Sequence, residues 1–281
     1  MRRRLTLFLV GLAIGACGCT QGARPQETPS WQLVLRLRPG ERLVERSYEI
    51  DRIGWKLPKR KLERFRAEGV IINEERHVTT TINAWVVSVV GGTALLRGTA
   101  DTTSLDVPRA QTLHTLEPFT AAVTRQNRAV TLQAPYVEDA AMEGFPQRPV
   151  SLGARWQTKL PVTTNLGSGV ATFDHRLVGF EKGRLQIAVS GSGAITGAQY
   201  HLPKLLPGTI SITGMAWYDP ATGLVVQEKY AIRNRIIKPM EGEESGFDEQ
   251  LSVDTSTRPV SKTRARSPSS AHPITRKGPI V

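Results

Sequence analysis

Cys17 is the side chain best placed to do chemistry in this sequence. Its thiol follows Leu12-Ala13-Ile14-Gly15-Ala16, which closes an uncharged apolar run from Leu5 to Ala16 behind Arg2, Arg3 and Arg4. A thiol there is a nucleophile at the end of an apolar run. Cys19 is placed less well, because Cys17 stands two residues before it and Ile14 fits the upstream apolar position better. The chain has only these two cysteines. A bridge between them would be strained, since one intervening residue leaves poor disulfide geometry.

The other reactive residue types are arranged less purposefully. Five histidines are present, and no two share metal-ligand spacing. Asp174 and His175 are neighbours, so on a strand they point to opposite faces. Glu241, Glu243, Glu244, Asp248 and Glu249 read as a solvated acidic loop, because the regularly spaced oxygen donors of a calcium loop are missing. Gly167-Ser168-Gly169 and Gly191-Ser192-Gly193 lack the Lys-Ser/Thr helix start of a phosphate loop. They read as small-residue relief in a curled sheet. No nucleophile elbow, zinc helix or dinucleotide fingerprint occurs. The reading is non-enzymatic: no catalytic residue, no metal and no cofactor.

One basic segment has an apolar partner set. Lys56, Lys59, Arg60, Lys61 and Arg64 interleave with Trp55, Leu57, Leu62 and Phe65. Pro58 suits a helix start, so Lys59 to Glu68 is expected as a short amphipathic helix. Its basic face, with Lys59, Arg60, Lys61 and Arg64, either contacts anionic lipid or faces water while the helix covers one end of the sheet. The second role is the favoured one.

The N-terminal run sets the compartment. It is too short for a bilayer span, which needs roughly 20 residues, and has the proportions of an export signal. Ending at Cys17, it resembles the lipobox of a bacterial lipoprotein. The expected organisation is a signal peptide over 1–16, then a lipidated N-terminus and flexible linker over 17–30. A single β domain follows over 31–257, and a disordered basic tail over 258–281. The expected location is the bacterial cell envelope, lipid-anchored, the outer membrane ahead of the inner, with the body in the periplasm or at the cell surface. A cysteine-free body must be held by its core.

Charge supports a protein that does not bind nucleic acid. The formal charge is +12, but three of the 37 basic residues are Arg2 to Arg4 and six lie from Arg258 onward, leaving 28 against 25 acidic ones. The body is nearly neutral, whereas a nucleic-acid domain concentrates its cations on the folded surface.

From Trp31 the apolar residues recur with period two, the mark of half-buried strands. Leu33, Leu35 and Leu37 lead to a turn at Pro39-Gly40, and Val44, Tyr48 and Ile50 continue on a second strand, as in a hairpin. Val78 to Val90, Gly91-Gly92 and Thr93 to Asp106 make the clearest hairpin. Phe119 to Thr124 and Ala129 to Ala134 follow around Gln126-Asn127. Tyr136 to Gly144 allows one or two helical turns before Pro146 and Pro149. Strands resume at Arg155 to Leu160, Val170 to Phe180 and Arg184 to Ile195. A loop from His201 to Pro207 precedes Thr209 to Tyr218, Leu224 to Asn234 and Phe247 to Thr255.

Phe145-Pro146-Gln147-Arg148-Pro149-Val150-Ser151-Leu152-Gly153-Ala154-Arg155-Trp156 resembles a segment of a family of uncharacterised bacterial exported β-proteins, many of them lipoproteins. Tyr218-Asp219-Pro220-Ala221-Thr222-Gly223-Leu224 and Leu37-Arg38-Pro39-Gly40 are similar to its turns. The resemblance covers most of residues 31–255. It implies an architecture and a compartment, and no catalytic residue.

Short connections without long helices predict an all-β fold with minor α. The expected form is an antiparallel meander curled into a half-barrel or barrel-like sheet, a β-sandwich being the alternative. Its concave face would be apolar. The functional expectation is an envelope lipoprotein holding a lipid or hydrophobic ligand there. The alternative is a structural or assembly protein that binds another envelope protein.

Overall fold

The turns set the meander. Gly91 and Gly92 hold φ of 57° and 81°, the left-handed pair that a two-residue primed turn demands and that only glycine adopts freely. Asn127 and Lys182 take the same region at 55° and 51°. The computed structural model describes residues 29–130, 134–198, 205–240 and 243–260. In chain order the elements are β1 (Ser30–Trp31), β2 (Arg42–Lys56), α1 (Lys59–Ala67), β3 (Asn73–Val90), β4 (Thr93–Asp106), β5 (Gln111–Thr124), α2 (Val137–Ala140), β6 (Val150–Ser151), β7 (Arg155–Thr164), β8 (Gly167–Glu181), β9 (Arg184–Ala198), β10 (Leu205–Asp219), β11 (Leu224–Met240) and β12 (Glu243–Pro259).

β1 and β6 form a small ribbon. The other ten strands make one antiparallel sheet in the order β5-β4-β3-β2-β12-β11-β10-β9-β8-β7, not closed into a barrel. The fold is the expected all-β curled sheet, and it is continuous, so no sandwich forms. Two meanders meet at its centre, where β2 pairs with β12 from Gly246↔Lys56 to Pro259↔Leu43. That pairing carries the last strand two residues past the expected domain end at 257. Cys17 and residues 261–281 lie outside the described residues.

Curling brings distant strands together. Asn165, in the turn between β7 and β8, donates to Asp51 on β2 at 3.2 Å. On a flat sheet the five strand spacings from β8 to β2 would span about 24 Å. Close strand approach accompanies the curl: a Cβ on Gly169 would sit 2.0 Å from the Ala194 carbonyl oxygen, and one on Gly193 2.2 Å from that of Val170. These positions have room for hydrogen alone, which bears out the sequence reading of the two glycine-serine-glycine stretches.

The cup formed by β7–β12 is filled by its own chain. The link from β5 to β7 must pass from one sheet edge to the other, and it does so across the inner face. It buries Val137, Ala140, Ala141, Met142 and Phe145 against Phe173, Leu177, Leu185, Ile187 and Ile212. Residues 32–38 make a second strap. Leu33 is fully buried, and the Tyr218 hydroxyl donates to the Val34 carbonyl at 2.8 Å while accepting from the Val34 N–H at 3.1 Å.

This strap corrects the sequence reading of Leu33, Leu35 and Leu37 as the first arm of a hairpin. Only Ser30–Trp31 is a strand there. The alternation is real, but it records one-sided burial without a ladder partner. The turn at Gly40 docks on β3 through its N–H to the Val86 carbonyl at 2.8 Å. Ala129 makes only an isolated bridge to Val123, and residues 131–133 lie outside the described residues. So do 201–204 of the expected His201–Pro207 loop, whose last residues, from Leu205, already belong to β10.

Candidate functional site on the inner face

The expected acidic loop is largely a strand. Residues from Glu243 onward belong to β12 and pair with β11; Glu241 lies outside the described residues. Alternation along β12 turns Asp248 outward, where Arg233 binds it, and turns Glu249 inward, where it is fully buried. Register rather than composition decides this, because β12 meets β2 and a solvated loop cannot. The sequence reading of Glu249 as solvated is therefore corrected.

Glu249 sits in a buried polar group. Its carboxyl accepts from Asn165 Nδ2 at 2.8 Å and from Asn234 Nδ2 at 2.5 Å. The Asn165 amide also reaches Asp51, which accepts from Arg76 at 3.0 Å. Burial raises Glu249 above the usual carboxylate range, and the adjacent Asp51 carboxylate raises it further.

More carboxyls line the same face. On β2 the residues Glu45, Ser47, Glu49 and Asp51 alternate inward, while Tyr48 is 45% exposed on the other side. The inner face of β2 is thus acidic, and not the apolar surface expected throughout. From β11, Glu228 is raised to about 8 by burial, and the Tyr230 hydroxyl donates to it at 2.8 Å. From α2, Glu138 is raised to about 8 by burial and by Asp139. Asp139 rises to about 7; solvent reaches its side chain, but protein encloses it on most sides and Glu45, Glu49 and Glu143 add their repulsion. This group was hidden in the sequence because its members come from β2, α2, β11 and β12. A signal did exist: Glu45 and Glu49 occupy alternate positions of a period-two strand.

His175 is buried among apolar neighbours, as expected of a structural histidine. It stacks on Trp156 with ring centroids 5.0 Å apart and lies 3.2 Å from the Thr158 hydroxyl. Burial lowers it to about 4, so it is a neutral packing group at neutral pH. Among the described residues no cluster of three or more His, Cys, Asp or Glu is arranged to hold a metal ion.

α1 forms where the sequence places it, with Pro58 before its first turn. Leu62 and Phe65 are half-buried, and Phe65 meets Trp55 edge-on at 6.4 Å, which in turn meets Phe247 at 5.4 Å. Lys59 and Arg64 pair with Glu63 at 4.0 Å and Glu68 at 2.7 Å along the helix, and Arg60 is exposed. The four basic residues, Lys61 included, thus share one short helix at the end of the sheet. No helix among the described residues is long and apolar enough to cross a membrane.

Beyond the cup, β3, β4 and β5 continue the sheet as a wing, whose tip the strap meets through Leu35 and Gly40. Leu113 is 65% exposed on its inner face, and Trp85 and Leu116 are 46% and 62% exposed on its outer face. Three pockets border the sheet, of about 420, 630 and 340 Å³. The last is lined by Trp55, Arg76, Asn165 and Phe247 among others, so it opens beside the Asp51–Glu249 group.

No family model matches the chain, and no curated protein matches it. Among solved structures, a mutant of the Rh. blastica porin aligns with a TM-score of 0.23 at 6% identity, over 75% of this chain and 99% of the porin. The β-barrel of the InvG secretin domain from the Salmonella SPI-1 injectisome aligns with a TM-score of 0.17 at 8% identity, over 81% of this chain and 66% of that one. Scores this low carry no weight for fold or function.

Proposed function

We propose that the chain is a non-catalytic lipoprotein of the bacterial cell envelope, anchored through Cys17, whose curved sheet holds a lipid or another hydrophobic ligand. The observation that carries this reading is the wing. A sheet segment that leaves Leu113 in water on its inner face, with Phe119 and Ile82 only half-buried on that same face, offers apolar surface for an interaction. The apolar interior of the cup is filled by its own chain among the described residues, so the ligand belongs on β3–β5. α1 serves as a cover at the sheet end.

The alternative, an assembly protein that binds another envelope protein, draws on a different observation. β5 pairs with β4 on one side, and among the described residues its other edge carries no strand from Gln111 to Ala121, which leaves a template for an added strand. Pro118 and Glu117 within that edge blunt it, which ranks this reading second.

The test is an organic extraction. The chain starting after residue 19, expressed in a bacterial host and purified without detergent, should release lipid in roughly one-to-one ratio on chloroform–methanol extraction and mass spectrometry. A lipid-free protein that instead retains an envelope protein in pull-down from solubilised envelopes would replace this reading with the assembly role.

A further inference from the structure

At the tip of the wing an extra residue changes which side chains face inward. Val86 pairs with Leu96, but the next pairs are Ser88↔Leu95 and Val89↔Ala94, so β3 is bulged at Val87. A bulge re-aims the side chains that follow it. Ala94 pairs in turn with Val123 on β5, so Val89, Ala94 and Val123 lie side by side on the inner face. The strap supplies the facing wall. Its Leu35 N–H donates to the Arg125 carbonyl at 2.8 Å, and the Arg125 N–H donates to that of Gly92 at 2.9 Å, which pins strap to hairpin. Leu35 and Leu37 complete an apolar pocket of about 420 Å³, within the range of small-molecule sites.

The same pocket is lined by Arg36, Arg38 and Arg125. None of these three guanidinium groups is held in a salt bridge among the described residues. The nearby Glu41 carboxylate accepts from the Arg38 backbone N–H at 3.0 Å, and it offsets at most one of three positive charges. Apolar lining with three exposed arginines at its border matches an amphiphile whose polar end is negative. Arginine's planar fork binds carboxylate and phosphate two bonds at a time.

We propose that this pocket binds a single acyl chain ending in an anionic group, with the chain against Leu35, Leu37, Val89, Ala94 and Val123 and the anion among Arg36, Arg38 and Arg125. The proposal rests on the reading of the open sheet as a lipid-ligand surface, and specifies the charge of the ligand and its place on the sheet. A fatty carboxylate and the headgroup of an anionic membrane lipid share this chemistry.

Fluorescence titration of the mature chain carrying C17S and C19S, with cis-parinarate and with its uncharged methyl ester, tests it. The wild-type pocket should favour the carboxylate at least tenfold. The R36Q/R38Q/R125Q variant should lose that preference and bind the methyl ester as the wild type does, which also shows that the variant is folded. Displacement of cis-parinarate by phosphatidylglycerol vesicles, and not by phosphatidylcholine vesicles, would support the site and assign the anion to a membrane lipid. Displacement by soluble palmitate alone would support it with a free fatty acid. Equal affinity for the two probes, or a preference that survives in the triple variant, overturns the anionic site and leaves the hydrophobic-ligand reading standing. Binding of neither probe overturns both.

Discussion

Leu33→Asp should cost about 4 kcal/mol or more and leave the protein largely unfolded at 37 °C. The residue is fully buried within the core of the cup, and a carboxylate there has no partner in the surrounding cluster of apolar side chains. Leu33→Ala should cost a milder 2–4 kcal/mol, the usual range for a large-to-small change at a packed site. Urea unfolding followed by tryptophan fluorescence measures both. The strap is the reason the effect is large. Residues 32–38 have no ladder partner, so their order depends on Leu33, on the two Tyr218 hydrogen bonds to Val34 and on the Leu35 N–H bond to the Arg125 carbonyl. A loss below 1 kcal/mol for Leu33→Asp would mean that the strap rests on the cup without filling it.

The second large effect is in pH. Glu45, Glu49, Glu138, Asp139, Glu143, Glu228 and Glu249 all titrate above their ordinary range in the folded chain, each primarily because burial disfavours its charged form. The sign follows from proton counting. Between the ordinary carboxylate pKa near 4.5 and the raised values near 8, the folded state binds protons that the unfolded state has released. Stability therefore falls as pH rises through this window. It is fully present below about pH 4.5 so far as these groups are concerned. On the acid side the opposite group acts: Glu75 is held down at about 2 by hydrogen bonds from Arg52 and His77, and its contribution fades as pH drops toward that value.

The melting temperature should thus peak near pH 5 and fall by roughly 10 °C by pH 8.5. Glu228→Gln keeps an acceptor for the Tyr230 hydroxyl while removing one of the titrations. At pH 8.5 it should recover about 2 kcal/mol, or about 5 °C, and at pH 5 close to nothing. Differential scanning calorimetry across this range checks it. A wild-type melting temperature that climbs from pH 5 to pH 8.5 would show that the inner carboxyls are ionised and solvated in the folded protein.

Much of the sheet was legible in the sequence because its information is local. Leu185, Ile187 and Val189 face one way against Arg184, Gln186 and Ser190 on the other, and all three are buried on β9. Gly91-Gly92, Asn127 and Lys182-Gly183 mark turns through backbone angles that few residues accept. α1 was legible through Pro58 and the spacing of Leu62 and Phe65. What the sequence left open is partnership across distance. Periodicity reports which side of a residue is buried and says nothing about what buries it, so Leu33, Leu35 and Leu37 suggested a strand where a strap lies. Glu249 belongs to a run of five acidic residues that suggests a loop. Its burial follows from β12 joining β2 some 200 positions earlier in the chain and from Asn165 arriving across the curl. The arginine-lined pocket depends likewise on a bulge at Val87, which no residue type announces.

Hydrogen exchange with mass spectrometry, with and without cis-parinarate, tests most directly whether the ligand sits on the open wing and not in the cup. Slowed exchange confined to Leu35–Arg38, Val86–Leu96 and Phe119–Arg125, with β8–β10 unchanged, is the predicted result. Slowing concentrated on β8–β10, or no slowing anywhere, would contradict it.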